Sequence, residues 1–176
     1  MESLDWKQAI SDHGSRVWAT AYRVLGNEAD AEDCFQEAFL AAFKVGQRQQ
    51  VRDLGALLVR AATARAIDRL RQKLRHPTAV LDCEGAEPAA PASLDPAEWL
   101  ERREQADVLR CALVRVPPQQ AEAFCLKYIS DMTQKEIGRE MGVSESAAGV
   151  LVHRARLRLR ELLDQHSTLQ KGVCDG

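Results

Sequence analysis

Between Thr133 and Ser144 the chain carries a helix start, a helix stop and a second helix start in close succession. Thr133-Gln134-Lys135-Glu136 has the form of a capping box: the threonine hydroxyl accepts from the amide three residues on, and Glu136 reaches back to the threonine's own free amide. Gly142 suits the left-handed residue that ends a helix, because a residue without Cβ adopts positive φ at little steric cost. Ser144 then caps the next helix. Two short helices joined by so tight a turn need apolar residues at fixed places on both sides, and Ile137, Met141, Val143, Ala148 and Leu151 stand there. Gly138 is small where the two helices come closest. The spacing predicts a helix-turn-helix. The second helix of such a unit lies in the major groove, so Ser144, Glu145, Ser146, Gly149, Val150 and His153 are the expected base-facing residues, with Arg154 beyond them on phosphate. Glu145 can accept from cytosine N4 and Val150 can touch a thymine methyl, but this face has no Arg or Lys for guanine.

The rest of the chain is patterned for helices as well. Its 176 residues hold one ordinary domain or two small ones. Aromatics are 5% of the chain and no stretch alternates Val, Ile or Thr at period two, so the expected fold is all-α. Residues 76–98 contain four of the six prolines, five acids and no Lys or Arg, which predicts an extended acidic linker between two small helical domains. The first domain then covers 1–75 and the second 99–166, with 167–176 as a tail. In the first, a helix from Trp6 to Leu25, broken or bent near Gly14, ends at Gly26-Asn27; others cover about 29–44 and 54–74. In the second, Asp95-Pro96 starts a helix over 97–115 that points Leu100, Val108, Leu109 and Leu113 inward. Pro117-Pro118 starts another, in which Ala121, Phe124, Cys125 and Tyr128 share a face.

Charge narrows the partners. A net charge of −2 and a pI near 6.1 exclude a histone-like coat, so contact with nucleic acid must come from local patches. On the second helix Phe35, Ala38, Phe39 and Ala42 form the face to be buried. Asp33, Gln36, Glu37 and Leu40 share another face, acids and an amide around one leucine, although a merely solvated acidic face would have the same pattern. The following loop, 45–52, is polar and basic, with Arg48 and Arg52. In the third helix Ile67, Leu70 and Leu74 make the apolar stripe, while Arg65, Arg69 and Lys73 form a row at i, i+4, i+8 that could follow a phosphate backbone.

Five widely spaced cysteines, with no CxxC pair and no His at ligand spacing, predict free thiols in a reducing compartment and neither metal nor cofactor. The N-terminal residues lack the apolar core of a signal peptide and no apolar run reaches membrane-spanning length, so a cytoplasmic protein is expected. No carboxylate pair, nucleophile motif or phosphate loop suggests an enzyme.

In order along the chain, these pieces resemble the small two-domain sigma factors of the extracytoplasmic-function family, and the resemblance covers nearly the whole sequence. YRVLGNEADAEDCFQEAFLAAFK (22–44) is similar to the polymerase-binding segment of sigma region 2, and ARAIDRLRQ (64–72) to the end of its promoter-melting helix. Residues 116–163, with the double proline, the helix-turn-helix and the trailing HRAR, resemble region 4. The resemblance implies that Asp33, Gln36, Glu37 and Leu40 dock on a basic coiled coil of core RNA polymerase. It places the 45–52 loop with Arg48 and Arg52, and the helix bearing Arg65, Arg69 and Lys73, on the minus-ten element of promoter DNA. The acidic linker would thread into the core enzyme, and Ser144–His153 would meet the minus-thirty-five element. An anti-sigma factor is a further partner the resemblance admits. Leu57, Val59 and Ala64 stand where the family's melting helix has two aromatics and an asparagine, which implies weaker base stacking; Gly149 and Leu151 stand where its recognition helix commonly has Lys and Arg. A conventional helix-turn-helix regulator would explain 133–160 but not the first domain. A sigma-like protein that binds polymerase or a regulator with little DNA readout of its own is the other reading open to the sequence.

Overall fold

Asp5 opens the first helix, its carboxylate accepting from the amides of Lys7 and Gln8 at 3.0 and 3.2 Å. The structure is a computed structural model and describes residues 5–75 and 95–173. Helix α1 runs Trp6–Leu25 without a break at Gly14, which is buried. A Cβ on Gly14 would lie 3.5 Å from the Phe35 ring, an ordinary contact, so this glycine faces the helix that carries Phe35 in the interior. Gly26 ends α1 in the left-handed region at φ 69°, and Asn27 starts α2 (Glu28–Gly46) by accepting from the Asp30 amide at 2.9 Å. Helix α3 (Leu54–Arg75) is started by Asp53, which accepts from the Ala56 amide at 2.9 Å. These three helices pack on one another along their lengths.

Helix α4 runs Pro96–Leu113; Asp95 has the extended backbone of a cap but makes no capping hydrogen bond, and Pro96 fills the first turn. The expected linker therefore loses 96–98 to helix, and its proline- and acid-rich part, 76–94, lies outside the described residues. Helix α5 is Pro118–Tyr128, α6 is Gln134–Met141 and α7 is Glu145–Val173, so the second helix of the helix-turn-helix continues through most of the segment expected to be a tail. Three expected inward residues are exposed: Leu74 at the free end of α3, Leu100 in the first turns of α4, and Tyr128 at the end of α5.

The two halves do not have separate cores. One buried cluster joins Ala21, Val24, Cys34, Ile67 and Leu70 of the first three helices to Leu113, Val116, Cys125, Leu159 and Leu162. A second joins Val17, Phe39, Leu58 and Ala62 to Leu126, Ile137, Ala148 and Val152. Helix α5 lies between α3 and α7, which is why Ala121 and Cys125 on one side and Ala123 and Leu126 on the other are all buried. Halves this small bury too little apolar surface alone, and sharing it raises the buried fraction. Along the seam, arginines donate to carbonyls at or just past helix ends: Arg16 to Ser130 at 2.9 Å, Arg23 to Ile129 at 3.1 Å, Arg71 to Val116 at 2.6 Å and Arg110 to Val24 at 3.1 Å. Those carbonyls have no partner within their own helices, so the guanidinium groups act as C-caps supplied from the other half.

Candidate nucleic-acid interface

Thr133 and Glu136 form both halves of the capping box: the Thr133 amide donates to Glu136 Oε2 at 2.7 Å and the Glu136 amide to Thr133 Oγ1 at 3.2 Å. Hydrogen bonds from the Thr133 hydroxyl and amide hold the Glu136 carboxyl below its ordinary range. Gly142 closes α6 at φ 69°, and the Val143 amide returns to the Gly138 carbonyl at 2.8 Å. Ser144 Oγ then accepts from the Ala147 amide at 3.1 Å to start α7. Ile137 and Ala148 are fully buried between the helices, Met141, Val143 and Leu151 half-buried, and Val152, which the sequence reading missed, is buried too. A Cβ on Gly138 would meet the Val143 carbonyl at 2.9 Å, so the turn needs glycine there.

This frame leaves Ser144, Glu145, Ser146, Val150, His153 and Arg154 exposed along the N-terminal half of α7, with Gly149 half-covered among them. Arg156, Arg158 and Arg160 continue outward, Arg158 paired with Glu161 at 3.0 Å. The face is short of long polar side chains of its own, as its composition implies.

In the first half, Asp33, Gln36, Glu37 and Leu40 are all exposed on α2, and Leu40 keeps 60% of its surface open. Arg65, Arg69 and Lys73 do not form a free row. They turn toward α2, where Arg65 meets Glu37 at 3.7 Å, Arg69 meets Asp33 at 3.0 Å and Asp30 at 3.8 Å, and Lys73 is bonded to Asp30. The expected phosphate row thus pairs with acids of the expected docking face, because both helices direct an i, i+4 row into the groove they share. Asp30 was missed in the sequence, though an acid in a first helical turn is the usual complement of the helix dipole. Burial works against the charge on Arg69, yet Asp33, Cys34 and Asp30 together raise its pKa; Cys34, beneath it, is itself pushed up by burial.

Arg48 and Arg52 are exposed. Arg52 lines an open cavity of about 360 Å³ with Gln49, Gln50, Leu57, Arg139 and Glu140, between the loop and α6. Arg139 pairs with Asp53 across it at 3.1 Å, and burial raises the pKa of Glu140. Of the residues standing where the family has its aromatics and asparagine, Val59 is fully buried and Leu57 and Ala64 half-buried. Cys34 and Cys125 are buried free thiols and Cys111 an exposed one, while Cys83 and Cys174 lie outside the described residues. Among the described residues no cluster is placed to hold a metal ion, and no helix is long and apolar enough to cross a membrane.

Two family models match the chain, Sigma-70 region 2 over residues 9–76 and Sigma-70 region 4 over residues 106–159. The RNA polymerase sigma factor CarQ of Myxococcus xanthus is 34% identical over 91% of this chain and 90% of its own. The ECF RNA polymerase sigma factor SigE of Mycolicibacterium smegmatis is 32% identical over 93% of the chain, which spans 63% of that relative's length. SigW of Bacillus subtilis is 29% identical over 88% and 86%. Among solved structures, CnrH in complex with the cytosolic domain of CnrY shares the fold at a TM-score of 0.57, with 24% identity over 90% of this chain and 87% of that one. The sigma factor RpoE from Bartonella quintana, in complex with the anti-sigma factor NepR, does so at 0.56, with 24% identity over 92% and 98%. With regions 2 and 4 in order on either side of a proline-rich stretch, this chain belongs to the sigma factors of the extracytoplasmic-function type, non-enzymatic factors that direct promoter recognition and transcription initiation.

Proposed function

We propose that this chain binds core RNA polymerase through the Asp33, Gln36, Glu37 and Leu40 face of α2 and meets promoter DNA through two separate surfaces. The observation that carries the reading is Leu40, an exposed leucine on the same helix face as Asp33, Gln36 and Glu37, in a chain that also has a complete helix-turn-helix. Opposite charge around an apolar anchor steers a basic partner and then holds it. The first domain, 1–75, would carry polymerase and the minus-ten element, with Arg48 and Arg52 ready for phosphate and Arg65, Arg69 and Lys73 available once their pairs with α2 are exchanged for DNA. The second, 99–166, would carry the minus-thirty-five element on Ser144, Glu145, Ser146, Gly149, Val150 and His153, with Arg154 on phosphate. The solved RpoE structure is a complex with the anti-sigma factor NepR, and a protein of that kind would be a regulator of this chain. The place of action would be the cytoplasm.

Capture of purified core polymerase tests the reading. Asp33→Ala/Glu37→Ala and Leu40→Ala should each abolish most of the binding and, with it, run-off transcription from a cognate promoter. Asp33 and Glu37 are half-exposed in their pairs, which are worth at most about 1 kcal/mol each, so the variants should stay folded. Undiminished capture by the folded variants would overturn the assignment.

A further inference from the structure

Gly149 sits in the middle of the outward face of α7, four residues beyond Glu145 and four before His153, where a DNA-reading helix ordinarily displays a side chain. What occupies that space is Gln134. A Cβ built on Gly149 would lie 3.3 Å from both the Nε2 and the Oε1 of Gln134, so the flat carboxamide rests directly on the glycine's backbone. Gln134 is exposed, is the first residue of α6, and its amide makes no hydrogen bond to another described residue. Both its donor and its acceptor are free beside the face.

Packing alone does not call for this glycine. At Gly138 the obstruction is backbone, the Val143 carbonyl at 2.9 Å, and no side chain fits. At Gly149 the obstruction is the far end of a flexible surface side chain, which would swing away from any larger residue at small cost. Removing the side chain at 149 thus has one specific effect: it lets a residue of the preceding helix take that place on the reading surface. A carboxamide there has the donor–acceptor pair that matches N6 and N7 of adenine in the major groove. The rest of this face has only serines, Glu145, Val150 and His153.

We infer that Gln134, seated over Gly149, is a specificity-determining residue of the second domain and reads an adenine edge in the minus-thirty-five region. This rests on the proposal that α7 enters the major groove. The test uses the full chain assembled with core polymerase and a DNA library randomised over that region, with the base preference read at every position. Gln134→Ala should lower the preference for adenine at one position by at least about fivefold and leave the other positions unchanged. Gln134→Glu, an acceptor without a donor, should move the preference at that position toward cytosine. Gly149→Ala, whose Cβ displaces the amide, should disturb the same position. A uniform loss across all sequences would mean a phosphate contact and would overturn the inference, as would no change. Glu145→Ala and Ser146→Ala separate it from the reading beneath it. If they alter base preferences and Gln134→Ala does not, Gln134 alone is misassigned; if none of the three does, the placement of α7 in the groove falls as well.

Discussion

At the scale of single residues, the glycines of the helix-turn-helix have unlike jobs that a substitution fitted to each separates. Gly142 has positive φ and open space around it, so only its backbone conformation is demanding. Asparagine tolerates that conformation, and Gly142→Asn should cost less than about 1 kcal/mol. Gly138 has an ordinary helical conformation but no room. Gly138→Ala should cost about 1–3 kcal/mol, because the Val143 carbonyl that blocks the new methyl is backbone and part of the turn. Urea denaturation of the two variants checks the order, and equal midpoints would contradict it. Arg154 makes a different single-residue case. It is exposed directly after His153, the last of the proposed reading residues, so Arg154→Ala should lower the magnitude of the salt slope of promoter binding by about one while leaving base preference alone. An altered preference would make it a base reader.

Among elements, α6 holds two carboxylates shifted in opposite directions. Glu136 is held below its ordinary value of 4.5 by the Thr133 hydrogen bonds, so its contribution to stability is present above the unfolded value and lost as pH falls through the lower folded one. Glu140 is raised above 4.5 by burial, so its protonated form favours folding; that contribution is present below the unfolded value and lost as pH rises through the folded one. Thermal melts should therefore show Glu136→Gln less stable than the parent at neutral pH and Glu140→Gln more stable, both differences vanishing in acid. Thr133→Ala should cost about 1 kcal/mol at neutral pH. The capping box, Gly142 and Ser144 were legible in the sequence because each acts within four residues of itself. The α2 face was legible for the same reason, since Phe35, Ala38, Phe39 and Ala42 need only the period of a helix. Asp30, the pairing of Arg65, Arg69 and Lys73, and the burial of Val59 were not, because they depend on which helix lies alongside. Leu74 and Leu100 fit their helical stripes but stay about half exposed, because periodicity fixes a face and not what lies against it.

Over the whole molecule, the feature least visible in the sequence is the core that the two halves share, and on the proposed function it bears on how DNA is reached. A compact chain of 176 residues has a radius of gyration of about 16 Å and is about 40 Å across. The minus-ten and minus-thirty-five elements lie roughly 80 Å apart along duplex DNA at about 3.4 Å per base pair. The closed arrangement cannot touch both. On the proposed assignment of the minus-ten element to the first half and the minus-thirty-five element to the second, the chain between Arg75 and Pro96, at up to about 3.5 Å per residue, can span roughly 70 Å, so separated halves would each reach their element. Opening must break the seam, and Arg60 is its most engaged side chain: it pairs with Glu122 at 2.9 Å and also donates to the Glu140 carbonyl at the end of α6. Glu122 is only 14% exposed, so loss of Arg60 leaves a partly buried carboxylate without its partner, a cost of about 1–3 kcal/mol borne by the closed form. Small-angle scattering should give a radius near 16 Å for the parent chain and a larger one for Arg60→Ala/Arg139→Ala. The same variant should associate faster with core polymerase, because part of the opening has been done in advance. If its radius grows and its association rate does not, the seam is a stability device and opening does not limit assembly; if the radius stays at 16 Å, the merged apolar core, and not the arginine clasp, holds the halves together.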